Sequence, residues 1–443
     1  MGIFQNLLYR FLLPPPRMFQ WAGIIFFLLL LCTASCNTVD PPPDKTVLTL
    51  TLEDVSCTEA WITLTTANLQ LPISLNLLKD NTITKTINLQ TADTLLYIDS
   101  LLPNQTYKFY SVIQPINHSS NEISVTTMDT TSHDFTWQTW TFGGTAGSST
   151  LYDVAIVNES CIWAVGEIYI ADTSANGYTM YNAVHWDGNE WTLKRITVDF
   201  RGFQITPPLE GAFAFSSTDV WFVGSLPIHG DGENWVMYDL RTTVDPNISL
   251  SKAWGTSSSD IYFIGNLGSI AYYNGQSFSK IESGTNTIIN DVWGINNDNN
   301  ETIAYAPVSS FFTPGDKKIL RIKNNLVDSV SWNMNRLLYS AWTNKGRYLY
   351  VCGSGAFENK SGSWKEIALP QISMNRIRGN AINDIFIAGD FGFVTHFNGL
   401  SWTNYANLYD SNTAYYSLSI YGNNVLIVGW SNGKGIITVG RRN

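Results

Sequence analysis

The sequence predicts an all-β chain, a two-sheet sandwich followed by a seven-bladed β-propeller whose first and last strands close the ring. Three observations carry this. Strands ending in glycine return through the C-terminal part of the chain at Gly166, Gly224, Gly265, the degraded copy Ala306, Gly353, Gly389 and Gly429. They are spaced 58, 41, 41, 47, 36 and 40 residues apart, close to the roughly 40 to 50 residues of a four-stranded blade. Residues 45–129 instead show short period-two alternation, which means sheets with one buried face. Only 14% of the chain is charged while 13% is aromatic, a balance that suits β-rich structure.

The clearest blade runs from Ala253 to Thr285, with four apolar or aromatic runs separated by turn residues. Its Asn274-Gly275 pair, between Ala271-Tyr272-Tyr273 and Ser277-Phe278, is a hairpin signal that predicts a two-residue turn with positive φ. Weaker copies of this blade lie on both sides.

In chain order, Arg10 and Arg17 precede the apolar run Trp21 to Leu31, which is of signal-peptide length and short for a membrane span. Thr33-Ala34-Ser35 before Cys36 resembles a bacterial lipobox, with Thr33 departing from the usual aliphatic residue. The resemblance implies lipidation at Cys36 after removal of residues 1–35, and membrane attachment through that lipid. Asn37 carries no Asp-type inner-membrane retention signal, so an outer-membrane or secreted envelope location is expected. Residues 36–44, with Pro41-Pro42-Pro43, read as a semi-rigid linker.

Within residues 45–129 the stretch Leu101 to Val112, carrying Pro103, Tyr107 and Phe109, resembles the fibronectin type III signature. The resemblance implies a corner tied by the Tyr107 hydroxyl, and it makes Trp61 the core tryptophan of the second strand. Such modules serve as spacers or protein-binding units, so function does not follow from this domain.

The propeller is expected over 135–443. Second strands such as Ile162-Trp163-Ala164-Val165-Gly166 are followed by hairpins such as His185-Trp186-Asp187-Gly188-Asn189-Glu190-Trp191 and His396-Phe397-Asn398-Gly399-Leu400-Ser401-Trp402. The last unit ends after Ile436 to Val439 without a fourth strand, while Phe135 to Phe142 is a strand with no blade of its own. Pairing the two would close the ring and remove two exposed edges. The pattern resembles secreted bacterial propeller repeats in the style of kelch and sialidase blades, although the sialidase box is absent.

A net charge of −10 without a Lys/Arg cluster excludes a nucleic-acid binder. Cys57, Cys161 and Cys352 have no paired spacing and read as buried small apolar residues. There is no metalloprotease, nucleophile-elbow or P-loop motif, and the polar run Asn296 to Glu301 lacks the glycine and distal acid of a calcium loop. Neither cofactor nor metal is expected.

Extra length marks where function sits on a rigid scaffold. Blade one inserts 167–181, blade two 225–234 and blade four 307–316, and 196–209 lengthens the connection between blades one and two. All four are expected on one rim. Candidate ligand contacts are Tyr169, Asp172, Tyr178, Arg201, Phe203, His229, Asp231, Phe311 and Phe312, with Arg376 and Arg378 reaching the channel. The expected function is a non-catalytic binding or adhesion module for a glycan or an envelope protein. A carbohydrate-active enzyme would instead need two facing carboxylates, for which Asp172, Asp231 and Asp316 are the rim acids, and a structural scaffold would need no ligand.

Overall fold

The computed structural model describes residues 46–114, 118–297 and 301–443. The apolar N-terminal segment, the Cys36 site, the linker to Asp44 and the centre of the 296–301 run lie outside the described residues.

Residues 46–126 form two facing antiparallel sheets. Val47–Val55, Ala60–Ala67 and Asp93–Ile98 make one, while Ile73–Lys79, Thr82–Leu89, Thr106–Ile113, His118–Ser119 and Ile123–Thr126 make the other. Alternation sends Leu48, Leu50, Ile62 and Leu64 inward to meet Leu75, Leu77, Phe109 and Val125. The Tyr107 hydroxyl accepts the Leu102 N–H at 2.9 Å and ties the corner.

Trp61 is not in this core, contrary to the expectation drawn from the type III signature. Ala60, Ile62 and Leu64 occupy the inner face, so the same alternation turns Trp61 outward. It is nonetheless 1% exposed, because it packs on Tyr348, with ring centroids 5.8 Å apart, and donates its indole N–H to the Lys360 carbonyl.

Residues 135–443 hold seven four-stranded antiparallel sheets among the described residues, numbered here in chain order. The first strands are Thr150–Asn158, Gly211–Ser216, Leu250–Ser257, Trp293–Asn296, Leu338–Trp342, Met374–Ala381 and Thr413–Tyr421. Each packs beside the next, and the seventh returns to the first, which makes a closed β-propeller around a central channel. In sheet seven the outermost strand is Phe135–Phe142, paired with Lys434–Arg442 from Phe135↔Arg442 to Phe142↔Gly435.

Sheet three departs from the expected two-residue hairpin. Tyr273↔Phe278 is the last pair, so the loop is 274–277. The Asn274 side chain accepts the N–H groups of Gln276 and Ser277, and only Gly275 takes positive φ. The side chain thus replaces the backbone geometry that a tighter turn would need.

The turns joining first to second and third to fourth strands form a lower face, against which the sandwich is seated at sheets five and six. Lys345 pairs with Asp54 at 2.6 Å, Arg347 with Glu53 at 2.7 Å and Lys360 with Glu59 at 2.8 Å. Burial pulls the Lys360 pKa down, but Glu59 and Glu358 more than offset it and leave it raised. Gly399, at φ +96°, lies so close to the Cys57 sulfur that a side chain would collide with it. Cys57, Cys161 and Cys352 are buried free thiols.

Candidate functional site

The opposite, upper face carries the connections between second and third strands and those between sheets. Extra length in sheet one proves to be strand: Cys161–Ala171 and Tyr178–Trp186 extend as one hairpin beyond the sheet. Tyr169 and Tyr178 stand on it with rings 5.4 Å apart, edge to face. The Glu167 carboxylate accepts the Tyr169 hydroxyl at 2.7 Å, and this bond first, then burial, raises the tyrosine pKa to about 12. Asp172 is spent on the hairpin tip, where Ser174 and Thr179 bond it and hold its pKa low.

The long connection after sheet one folds into a small hairpin, Val198–Phe200 with Phe203–Ile205. Arg201, at φ 56° in its turn, pairs with Asp239 of the next connection at 2.7 Å, while Phe203 is 73% exposed. In sheet four, Phe311 and Phe312 are 79% and 91% exposed at the tip of 309–317. Asp316 at its base is engaged by Thr285 and Lys318; burial raises its pKa, and these partners more than offset that and lower it.

His229 and Asp231 do not belong to this rim. Ser225, at φ 65°, turns the chain in a single residue, so Leu226–Gly230 is already the third strand and Asp231 lies in the lower-face turn. His229 pairs across the strands with Trp221 and stacks on it at 4.2 Å, with its Nε2 2.9 Å from Asp219. His185 opposite Trp163 and His396 opposite Phe386 hold the same register position. Asp231 accepts the backbone N–H and side-chain amide of Asn234 and then the N–H of Glu233, which lower its pKa to about 2. The signal was available in the sequence, since His229-Gly230-Asp231-Gly232-Glu233-Asn234-Trp235 repeats the hairpin of sheet one. Asp231 therefore cannot face Asp172 or Asp316.

A concavity that the sequence did not single out opens on the upper face over sheets five to seven. It measures about 410 Å³ and is lined by Tyr339, Phe391, Tyr416 and Trp430, with Asn375, Asp390 and Asn412 among them. These residues sit at strand ends and in the short connections 390–393 and 405–412, so no insertion advertised them. Asp390 accepts the Asn375 amide at 2.9 Å. Burial first, then the Asp390 charge, raises the pKa of both Tyr339 and Tyr416. Trp430 is fixed by its indole N–H, donated to Ser148 at 2.9 Å. The arrangement offers flat apolar faces beside a few polar groups, which is the usual composition of a small-ligand site.

Arg376 and Arg378 line the channel, as expected. Both donate to Asp291, and Arg376 also reaches Asp153 and Ser417. Lys252 donates to Asp153 and to the carbonyls of Tyr152 and Glu210. Burial raises the Asp153 and Asp291 pKa values, but the surrounding cations more than offset this and hold both low. This network joins first-strand residues, or their immediate neighbours, of sheets one, three, four, five, six and seven through Asp153, Lys252, Asp291, Ser340, Arg376 and Ser417.

No family model matches the chain, and no curated protein matches it. Solved structures similar to it include YCF48 bound to D1 peptide, at 14% identity over 69% of this chain and 97% of that one, with a TM-score of 0.49. YCF48 from Cyanidioschyzon merolae is 12% identical over 69% and 98% of the two chains, also with a TM-score of 0.49. The WD40 β-propeller domain of Doa1 is 12% identical over 70% and 98%, with a TM-score of 0.48.

Proposed function

We propose that the chain is a non-catalytic binding protein of the bacterial envelope, with a seven-bladed propeller as head and a type III-like sandwich as support. It binds a glycan in the upper-face concavity over sheets five to seven. The observation that carries this is the lining of that concavity, where Tyr339, Phe391, Tyr416 and Trp430 surround Asn375, Asp390 and Asn412. Aromatic faces stack on the C–H faces of sugar rings, while amide and carboxylate groups bond the hydroxyls. Tyr178, Phe203, Phe311 and Phe312 on the same face extend the apolar contact for a longer chain.

The proposed anchor at Cys36 is consistent with this face. Glu53, Asp54 and Glu59 at one end of the sandwich meet the propeller. Val47 starts the first strand eight residues before Val55, about 27 Å away at about 3.4 Å per residue. A chain tethered before Val47 therefore turns the lower face toward the membrane and the upper face away from it.

The test is a glycan array probed with the full chain and with Tyr416→Ala and Trp430→Ala. At least one glycan class retained by the wild type and lost by both variants is expected; retention that neither variant changes would overturn the site. Metabolic labelling with a palmitate analogue tests the anchor, with label expected on the wild type and absent from Cys36→Ser.

A further inference from the structure

Below the ion network, the channel holds a cavity of about 220 Å³ whose donors and acceptors do not balance. The carboxylates are saturated. Asp291 Oδ1 accepts both arginines, and its Oδ2 accepts Ser340, Arg378 and the Ala341 N–H. Asp153 accepts Ser417, Arg376, Lys252 and the N–H groups of Val154 and Ala212.

The donors are not saturated. A guanidinium carries five N–H bonds in a fixed fork. Arg376 uses three, on Ser417, Asp291 and Asp153. Arg378, held 4.5 Å above the Trp293 ring, has no protein acceptor for its Nε–H among the described residues. Trp254 is 5% exposed and lines the cavity, and its indole N–H has no protein acceptor among the described residues. Lys252 donates to three oxygens at once, which requires the ammonium form. Around the cavity three cations thus face two carboxylates, and Glu210, the next acid, is not part of its wall. Donors that face the cavity without a protein acceptor, beside an excess of positive charge, favour a group bringing oxygen atoms and negative charge there.

The wall also sets the shape of the occupant. Each sheet has four strands, so every first strand runs the same way and position along it measures depth. Asp153, Lys252, Arg376 and Ser417 share one level, Arg378 and Trp254 lie below them, and Ile156 and Ile420 come later still, toward the lower face. One end is charged and the other apolar.

We propose that the lower half of the channel binds a short aliphatic carboxylate, its head at Arg378 and Trp254 and its tail between Ile156 and Ile420. This site is separate from the upper-face concavity and does not rest on it.

The test follows the ¹⁹F signal of trifluoroacetate mixed with the full chain. The signal should broaden, and butyrate should restore the sharp line at concentrations at least tenfold below those at which sodium chloride does. Trp254→Phe, which keeps an aromatic ring and removes the N–H, should lose the broadening, while Trp430→Phe on the upper face should keep it. If Trp254→Phe does not fold, the wild-type Trp254 indole ¹⁵N–¹H signal is followed instead and should shift on adding butyrate. No broadening, equal displacement by chloride, loss in Trp430→Phe alone, or an unmoved Trp254 signal would each overturn the site.

Discussion

Arg376 shows what a single residue contributes here. It is 3% exposed and neutralises Asp291 and Asp153 on different sheets. Removing one partner of such a network strands the others as buried charge, which costs about 3–5 kcal/mol. Arg376→Met should therefore lower the stability read from urea unfolding by about that amount. His133 behaves differently. His396 bonds Asp384 through Nε2, leaving Nδ1 to meet His133 Nδ1 at 2.8 Å. Burial first, then His396 and Arg442, depress the His133 pKa to about 4. The unfolded chain takes up this proton near the ordinary pKa of about 6.5, whereas the folded chain resists it. Stability should be level above pH 6.5 and fall as pH drops toward 4; urea midpoints across that range should decline less in His133→Asn. At this scale the sequence was only partly legible. His229 and Asp231 looked like rim residues because Ser225 conceals a one-residue turn, although the repeated Asp-Gly hairpin already placed them on the lower face.

Among the elements, the closing strand matters most. Phe135–Phe142 pairs with Lys434–Arg442 from Gly435 to Arg442, while Ile436, Ile437 and Val439 of the latter lie buried. Each buried aliphatic side chain contributes about 1.5–3 kcal/mol. A chain ending after Gly422 should melt at least about 5 °C lower, as read by circular dichroism, and an unchanged melting temperature would show that the pairing contributes nothing. The upper-face concavity illustrates the limit of reading loop length. Its residues come from short connections of sheets five, six and seven, brought together by ring curvature rather than by insertion.

For the whole molecule, the sandwich and propeller are joined by a buried aromatic and three ion pairs instead of a free linker. Trp61→Ala removes the aromatic from a site where it is 1% exposed, at a cost of about 3–5 kcal/mol. Lys360→Met leaves Glu59 with an unpaired charge at the same contact. The double variant should unfold calorimetrically in two transitions where the wild type shows one, and its radius of gyration in solution should increase.

Residue order alone predicts the all-β class, the recurring four-strand unit and the pairing of the chain's two propeller ends. Local periodicity and turn chemistry act over a few residues and leave a direct record in the residue order. The folded arrangement is what turns Trp61 toward the propeller, gathers Asp153, Lys252, Asp291 and Arg376 in one channel, and sets Tyr339, Tyr416 and Trp430 around one concavity. Those groupings join residues tens to hundreds of positions apart, and closing the ring, not any local pattern, brings them within reach.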